Sequence, residues 1–286
     1  MKNLIPEDLK INCYSATGQM ERKDNQDFFF SDKEKHLYVV ADGMGGYKGG
    51  ALASKFASHL ARDIFETVDS ITSTSPDESI MSGRQFVGYE DALKHAFLDA
   101  HDRTITEGID GAAQGMGCTI VLLLFRGNSL HIMNAGDCRC YQYCEETLRQ
   151  VTRDHSKVEK LLRAKEISKE EAKIHPQRNL VEKWIGGNRF SGMPDTYSIP
   201  YYVNDRFILC SDGVTKVLND AKIEEFAKME NIKDAVDGMI LAIKDAPEEI
   251  SPLTNKVRKK DNATVMMVEV TAKTAAWHKD EDTIKG

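Results

Sequence analysis

Five aspartates each stand at one end of a short apolar run, and this spacing suggests a metal site. The five are Asp27, Asp42, Asp137, Asp212 and Asp261. Apolar runs of this length have the pattern of buried β-strands. If the strand ends converge, the carboxylates would repel one another, and their pKa values would rise unless cations neutralise them. Carboxylate oxygens suit hard cations such as Mg²⁺ and Mn²⁺, so the sequence predicts a site for such cations.

The stretch around Asp42 shows this pattern most clearly. Leu37-Tyr-Val-Val-Ala reads as a strand, Asp42 ends it, and a turn rich in glycine follows at once. Gly43 leaves its backbone carbonyl uncrowded, so this carbonyl could serve as a further oxygen ligand. The alternative is an ordinary turn, because Asp-Gly is a common turn dipeptide. The same pattern at Asp212-Gly213 favours the metal site.

The rest of the chain supplies elements that could bring these ends together. Strands are predicted at residues 9–15, 27–31, 37–41, 118–126, 129–135, 138–143, 197–203, 207–210 and 263–270. Helices are predicted at residues 51–67, 89–106, 156–165, 168–174, 213–218, 221–229 and 231–244, and loops at 68–84, 108–117 and 246–260. Meanders of strands with helices between them are typical of stacked antiparallel sheets covered by helices.

The composition is that of an ordinary globular protein. The 286 residues are 41% hydrophobic and 29% charged, and the net charge is −7. A negative net charge argues against nucleic acid as the main partner. No apolar run is long enough to cross a bilayer, and the first residues lack the apolar core of a signal peptide. We therefore expect no membrane partner and a cytoplasmic location.

The six cysteines do not predict a metal site of their own. No two of them form a Cys-x-x-Cys pair, so zinc is not expected. Cys138, Cys140 and Cys144 are close enough in sequence to form a redox switch. The alternative, reduced cysteines that serve as small apolar residues on strands, is favoured by a cytosolic setting.

One catalytic domain is expected over residues 1–272, followed by a polar tail at 273–286 that is predicted to be disordered. Within the domain, charged short helices at about 155–190 have little apolar surface with which to build a core. Such a segment is typical of a mobile flap over an active site.

Seven short motifs, taken in order, give the chain a resemblance to a known family. They are Arg22-x-x-Asn25-Gln26-Asp27, Val40-Ala-Asp42-Gly-Met-Gly-Gly46, Gly115-Met-Gly-Cys-Thr119, Asn134-Ala-Gly-Asp137-Cys-Arg139, Thr152-Arg-Asp-His-Ser156, Leu209-Cys-Ser-Asp212-Gly213 and Asp261-Asn-Ala-Thr264. The chain resembles the metal-dependent serine/threonine protein phosphatases of type 2C (the PPM family), in particular their bacterial branch. The resemblance runs from about residue 12 to residue 270.

The resemblance implies an α+β fold, a four-layer α/β/β/α sandwich of two antiparallel sheets flanked by helices, with a small helical flap. It implies two Mn²⁺ or Mg²⁺ ions and a third at a looser site. The implied metal ligands are Asp27, Asp42, the carbonyl of Gly43, Asp137, Asp212 and Asp261. Asp42 would bridge two ions, Asp212 and Asp261 would complete one of them, and Asp137 with Asp212 would hold the third.

The implied reaction is the hydrolysis of phosphoserine and phosphothreonine in proteins. A divalent cation makes a bound water easier to deprotonate, so that the water can attack phosphorus in line. Arg22 would hold the phosphate through its fork of donors. The partners would be phosphoprotein substrates, the targets of a bacterial-type Ser/Thr kinase, and the enzyme would act as a monomer.

Two other functions compete with an active phosphatase. A catalytically weak or inactive pseudophosphatase would bind phosphoproteins as a regulator, but its mark would be the loss of a metal-bridging aspartate. Asp42, Asp212 and Asp261 are all present. A metal-dependent phosphodiesterase or nuclease is disfavoured by the acidic balance and the lack of a basic stripe.

Two positions depart from the family pattern. Gln26 replaces the glutamate of many members, which removes a charge and could lower metal affinity. Met44 stands where animal members carry a histidine as candidate general acid, and methionine cannot donate a proton. His155 is then the candidate catalytic acid; the alternative is a structural histidine that bonds to the backbone of its own loop.

Overall fold

Strands dominate the part of the chain that the computed structural model describes, which is residues 9–44, 88–108, 117–186, 191–250 and 256–272. The strands are β1 (Lys10–Gly18), β2 (Asp27–Asp32), β3 (Leu37–Met44), β4 (Gly117–Arg126), β5 (Ser129–Ala135), β6 (Arg139–Cys144), β7 (Thr147–Gln150), β8 (Ile185–Gly186), β9 (Asp195–Pro200), β10 (Arg206–Cys210), β11 (Glu249–Ile250), β12 (Val257–Arg258) and β13 (Ala263–Ala272). The helices are α1 (Tyr89–Gly108), α2 (Lys157–Arg163), α3 (Lys169–Ile174), α4 (Asp212–Thr215), α5 (Asp220–Ala227) and α6 (Ile232–Asp245).

The long strands form two antiparallel sheets. In the first sheet the order is β2-β3-β4-β5-β9, and the two-residue strand β8 pairs with β4. In the second sheet the order is β1-β13-β10-β6-β7. The hairpins β2-β3 and β4-β5 join neighbours in sequence, whereas β1 and β13 bring together the two ends of the described chain.

The central core lies between the two sheets, and the continuous apolar run of β4 explains how it forms. Val121, Leu123 and Phe125 pack between the sheets, while the residues that alternate with them pack on the opposite face. Phe125 meets Tyr201 and Phe207 edge to face, with ring centroids 5.0 and 5.8 Å apart. A strand that is buried on both faces requires apolar residues at every position, as this run provides.

Helices cover the outer face of each sheet. Ala92, Ala96 and Phe97 of α1 pack against the first sheet, as the helical spacing predicts. Helices α4, α5 and α6 pack against the second sheet, where Val236 and Met239 are fully buried. The predicted four-layer α/β/β/α sandwich is confirmed. No helix in the described ranges is long and apolar enough to cross a membrane.

All six cysteines are free thiols. Cys138 and Cys140 are buried between the sheets, and burial raises the pKa of both thiols. A thiol with a raised pKa is a poor nucleophile, so this placement favours the structural alternative over a redox switch.

The sequence prediction misses three short ladders, one of which is the pairing of β8 with β4. β7 pairs with β6 at the edge of the second sheet, and β11 pairs with β12 inside the predicted loop 246–260, so that loop prediction is wrong in part. The predicted helix 51–67, the predicted loop 68–84 and the predicted tail 273–286 lie outside the described residues.

Candidate metal centre and catalytic site

Asp27 and Asp42 face each other where β2 and β3 pair. They are partners in the ladder, and Thr119 of β4 lies opposite Asp42 on its other side. The backbone N–H of Gly43 donates to the carbonyl of Gln26 at 3.0 Å, which continues the pairing beyond the two acids. The ladder therefore brings two of the predicted ligands to one end of the first sheet.

The turn after β5 brings Asp137 to the same end. Gly136 has a φ of +116°, and a Cβ at this position would lie 2.3 Å from the Cβ of Thr119. Only glycine permits so close an approach with this backbone conformation. Because Thr119 is the ladder partner of Asp42, the contact places Asp137 within electrostatic reach of Asp42.

Ser211, which the sequence prediction missed, ties the second sheet to Asp27. Its Oγ donates to Asp27 Oδ2 at 2.6 Å and accepts from the backbone N–H of Thr264 at 3.0 Å. Ser211 is fully buried at the end of an apolar strand. A polar residue in such a position is the signal that could have identified it, because a buried hydroxyl needs a partner.

Asp212 and Asp261 lie beside each other and share the ammonium group of Lys216. Lys216 Nζ contacts Asp212 Oδ2 and lies 3.0 Å from Asp261 Oδ2. Arg22 Nη2 donates to the same oxygen of Asp261 at 2.8 Å. The sequence prediction missed Lys216, although its spacing of four residues from Asp212 is typical of a helical ion pair.

The aspartates shift one another's pKa values as the sequence predicts. Burial, reinforced by the charges of Asp212 and Asp261, raises the pKa of Asp27 to about 6 against the hydrogen bond from Ser211. Burial and then the charge of Asp212 raise the pKa of Asp42 well above its usual range. The same two causes raise the pKa of Asp137 to about 7.

Asp261 differs in the direction of its shift. Burial acts to raise the pKa of this carboxyl group, but Lys216 and then Arg22 outweigh burial and lower it. The site therefore holds a group of carboxylates that repel one another next to one that is already compensated by side-chain cations.

The donor set fits hard divalent cations. Asp27 Oδ1 and Asp212 Oδ1 are buried and have no hydrogen-bond partner among the described residues. In the same ranges, no three acidic, histidine or cysteine side chains surround one point closely enough to form a coordination shell, and Asp212 and Asp261 are turned towards Lys216 instead. A divalent cation would relieve the repulsion that raises the pKa values of these carboxyl groups.

The two departures from the family pattern lie next to these acids. The backbone N–H of Gln26 donates to Asn262 Oδ1 at 2.9 Å, and Asn262 Nδ2 donates to the carbonyl of Gln19 at 2.9 Å. These bonds hold the segment before β2 against the start of β13. Met44 is the last residue of β3, and its side chain lies outside the described residues. The effect of Gln26 on metal affinity stays a prediction.

His155 is buried beside the turn that carries Asp137. Its Nδ1 accepts from the backbone N–H of Gly136 at 3.1 Å, and its Nε2 faces Asp195 Oδ1 at 3.2 Å. Burial and then the charge of Lys183 lower the pKa of His155. Both ring nitrogens face protein groups, so the geometry favours a structural role over a proton donor to the leaving group, although the backbone partner is the turn after β5 and not the histidine's own loop.

The predicted flap contains two short helices in its described part. Ser156 Oγ caps α2, and Ser168 with Glu171 forms a capping box at the start of α3. Of the residues in these two helices, Ala172 alone is buried. Beside α2, an open cavity of about 570 Å³ is lined mainly by charged side chains, Arg153 and Lys183 among them. The short charged helices lie where the sequence predicts them, and the mobility of this segment over an active site stays a prediction.

A sandwich of two antiparallel sheets that gathers carboxylates from both sheets at one end has the architecture of a metal-dependent phosphatase. Among solved structures, the serine/threonine phosphatase of S. agalactiae matches with a TM-score of 0.72 and 26% identity, over 91% of this chain and 100% of that one. The catalytic domain of PstP in complex with two manganese ions matches with a TM-score of 0.70 and 22% identity, over 93% of this chain and 100% of that one.

Sequence comparison gives the family. The model of the protein phosphatase 2C family matches residues 18–245. The serine/threonine phosphatase Stp of Listeria monocytogenes is 31% identical over 254 residues, which cover 88% of this chain and 88% of that protein. The chain therefore belongs to the protein phosphatase 2C family. The enzyme class that the sequence predicts, a protein serine/threonine phosphatase, is confirmed.

Proposed function

We propose that the acids at the sheet ends hold two Mn²⁺ or Mg²⁺ ions with which the enzyme hydrolyses phosphoserine and phosphothreonine in proteins. The proposed ligands are Asp27, Asp42, the Gly43 carbonyl, Asp212 and Asp261, with Asp137 and Asp212 at a third, looser site. The strongest support is electrostatic: Asp42 lies within reach of the charges of the four other aspartates. Further support is that the PstP domain, which shares the fold, is in complex with two manganese ions.

Arg22 binds the phosphate group in this proposal. Its side chain is 48% exposed at the edge of the acidic group, where a phosphate can reach it. The guanidinium presents parallel donors that match two phosphate oxygens. When bound at the proposed ligands, divalent cations would supply an activated water and would disperse charge on the phosphate. His155 keeps the turn of Asp137 in place through Gly136, and a positioning role of this kind is consistent with its two contacts.

The test of this function is phosphate release from a phosphothreonine peptide in Mn²⁺, Mg²⁺ or EDTA. We expect release that requires metal and that is lost in Asp42→Asn, whose fold should remain intact. Asp245→Asn, which changes an exposed aspartate at the end of α6, is the matched control and should keep full activity. Near-normal turnover in Asp42→Asn would contradict the metal assignment. No release by folded protein under any metal would favour the phosphoprotein-binding alternative.

The biological setting is also part of the proposal. The substrates are phosphoproteins that a bacterial-type Ser/Thr kinase modifies, and the enzyme acts on them in the cytoplasm as a monomer with one catalytic domain at residues 1–272. The net charge of −7 supports a function without nucleic acid. Quantitative phosphoproteomics of cells that lack this protein tests the substrate class, since phosphoserine and phosphothreonine sites should rise while phosphotyrosine sites should not.

A further inference from the structure

Lys216 lies where the proposed ligand assignment requires a divalent cation. Its ammonium group contacts Asp212 Oδ2 and is 3.0 Å from Asp261 Oδ2, so that one positive charge joins two of the proposed ligands. Arg22 approaches Asp261 from another direction. The proposed function does not use Lys216.

The local backbone fixes this placement. Lys216 immediately follows the short helix α4, and its backbone N–H donates to the carbonyl of Asp212 at 2.9 Å. A helical turn of this kind stacks side chains four residues apart on one face, so Lys216 must lie over Asp212. The start of β13 lies against the same turn, because a Cβ at Gly213 would be 1.9 Å from the carbonyl oxygen of Asn262. Asp261 therefore stands within reach of the same ammonium group.

An ammonium group and a divalent cation cannot both occupy this place. Lys216 already contacts Asp212 Oδ2 and Asp261 Oδ2, so a cation between the two carboxylates would compete for these oxygens, and the two positive charges would repel each other at the distance of a metal shell. The side chain of Lys216 is 39% exposed, so its four-carbon stem has solvent into which it can turn away. Metal binding at this pair thus requires an exchange of cations rather than the filling of an uncompensated site.

We propose that Lys216 is an internal counter-cation of the Asp212–Asp261 pair, which a divalent cation must displace, and that it thereby weakens metal binding and sets the cation concentration at which the enzyme becomes loaded. The inference rests on the proposed role of Asp212 and Asp261 as ligands. It predicts that metal affinity depends on the charge of residue 216 and not on its packing.

Mn²⁺ binding to metal-free protein tests this, with free Mn²⁺ measured by electron paramagnetic resonance and binding heat by calorimetry. Of the two Mn²⁺ ions, the one that binds more weakly should bind Lys216→Met about tenfold more tightly than it binds wild type. The reason is that the variant lacks the partly exposed positive charge that repels Mn²⁺. Lys216→Arg keeps the charge and should stay within about threefold of wild type. Lys222→Met removes the lysine that pairs with Glu225 on α5, and serves as the control with unchanged affinity.

Thermal unfolding of the same proteins gives a second readout. Without metal, Lys216→Met should melt below wild type, because two neighbouring carboxylates lose their counter-charge. With saturating Mn²⁺ the difference should shrink or reverse. If Lys216→Met fails to fold, Lys216→Gln repeats both measurements with a polar neutral side chain.

Equal Mn²⁺ affinity in wild type and in both neutral variants would overturn the inference and leave the phosphatase assignment intact. A folded wild-type protein that binds no Mn²⁺ would overturn the inference together with the proposed metal ligands. Both experiments measure Mn²⁺ binding and stability rather than turnover. A protein that binds Mn²⁺ but is catalytically inactive would therefore still test the inference.

Discussion

Arg22 can pair either with Asp261 or with the phosphate of a substrate, and this choice determines whether its replacement should affect folding or substrate binding. One oxygen of Asp261 receives Arg22 Nη2 at 2.8 Å and Lys216 Nζ at 3.0 Å, so in the metal-free protein Asp261 keeps a counter-charge when Arg22 turns away. In the loaded enzyme the proposed divalent cation would take this role. The guanidinium is half exposed and carries donors that Asp261 alone does not use. We therefore expect its main contribution to be to substrate binding rather than to folding.

Replacement of Arg22 by alanine should raise the KM for a phosphothreonine peptide about tenfold or more, because a charge-assisted fork on phosphate contributes ~2 kcal/mol. Arg22→Lys keeps the charge without the fork and should be intermediate. Steady-state kinetics at saturating Mn²⁺ measures both, with the neighbouring Lys23→Ala as control. A KM and a kcat that both match wild type would refute the role of Arg22.

Gly213 should be the least replaceable residue of the acidic turn. An added Cβ would lie 1.9 Å from the carbonyl oxygen of Asn262, which is backbone and cannot move aside. Gly213→Ala should therefore cost about 1–3 kcal/mol of unfolding free energy and also weaken Mn²⁺ binding, because Asp212 shifts with its neighbour. Gly238→Ala on α6 is the matched control, since the added Cβ meets only the ring of Phe226, which can turn. Equal melting temperatures for the two variants would contradict this account.

The aspartates of the site could be predicted from the sequence. The side chains that contact them could be predicted only in part. Asp42 and Asp212 stand out because a charge at the end of an apolar strand is unusual and the pattern repeats. Ser211 and Lys216 carry weaker local signals, a polar residue after an apolar strand and a spacing of four residues from Asp212. Their roles depend on contacts with Asp27 and Asp261, which are 184 and 45 residues away in sequence. Long-range contacts of this kind come from the register of the two sheets, which local propensity does not encode.

The capping box should control the stability of flap helix α3. The backbone N–H of Ser168 donates to Glu171 Oε2 at 2.7 Å, and Ser168 Oγ accepts from the backbone N–H of Glu171 at 3.2 Å. Glu171→Ala removes the first of these bonds, whereas Glu170→Ala removes the same charge from the same turn without it. We expect a few-fold faster amide hydrogen exchange across α3 in Glu171→Ala than in Glu170→Ala. Identical exchange in the two variants would mean that the box does not hold the flap helix together.

Strand prediction succeeded for the continuous apolar runs and also for the edge strands β1, β2 and β9, but it missed the short, mostly exposed edge strand β7. β4 is apolar at nearly every position and was recognised with the correct ends to within one residue. β7 has the sequence Thr-Leu-Arg-Gln and is mostly exposed, so it owes its extended form to pairing with β6. An edge strand that buries little needs no apolar pattern, so this ladder was not predictable from local sequence.

The two sheets together hold a concentration of negative charge that opposes folding when no cation is bound. Burial and mutual repulsion raise the pKa values of Asp27, Asp42 and Asp137, so the folded chain ionises these groups less readily than the unfolded chain does. Divalent cations that bind only the folded chain would add to its stability. The metal-free fold is therefore less stable because it gathers these aspartates at one end of the two sheets.

Because the charge of Asp42 opposes folding, we predict that Asp42→Asn stabilises the metal-free protein at neutral and alkaline pH. The folded-state pKa of Asp42 lies well above its unfolded value near 4, so wild type loses stability as pH rises from about 4 through the folded-state pKa. Asparagine is neutral and has no such loss. At pH 8 the metal-free variant should have a larger free energy of unfolding and a higher Tm than wild type, and near pH 4 the two proteins should coincide.

Calorimetric melting of chelator-treated proteins between pH 4 and pH 8 measures this difference directly. The histidines with lowered pKa values are common to both proteins, so their contribution cancels in the comparison. Saturating Mn²⁺ should reverse the order at pH 8, because wild type would gain more from the cation than a variant that lacks the proposed ligand Asp42. A metal-free variant that is less stable than wild type at pH 8, or a difference that does not change with pH, would show that the charge of Asp42 does not oppose folding.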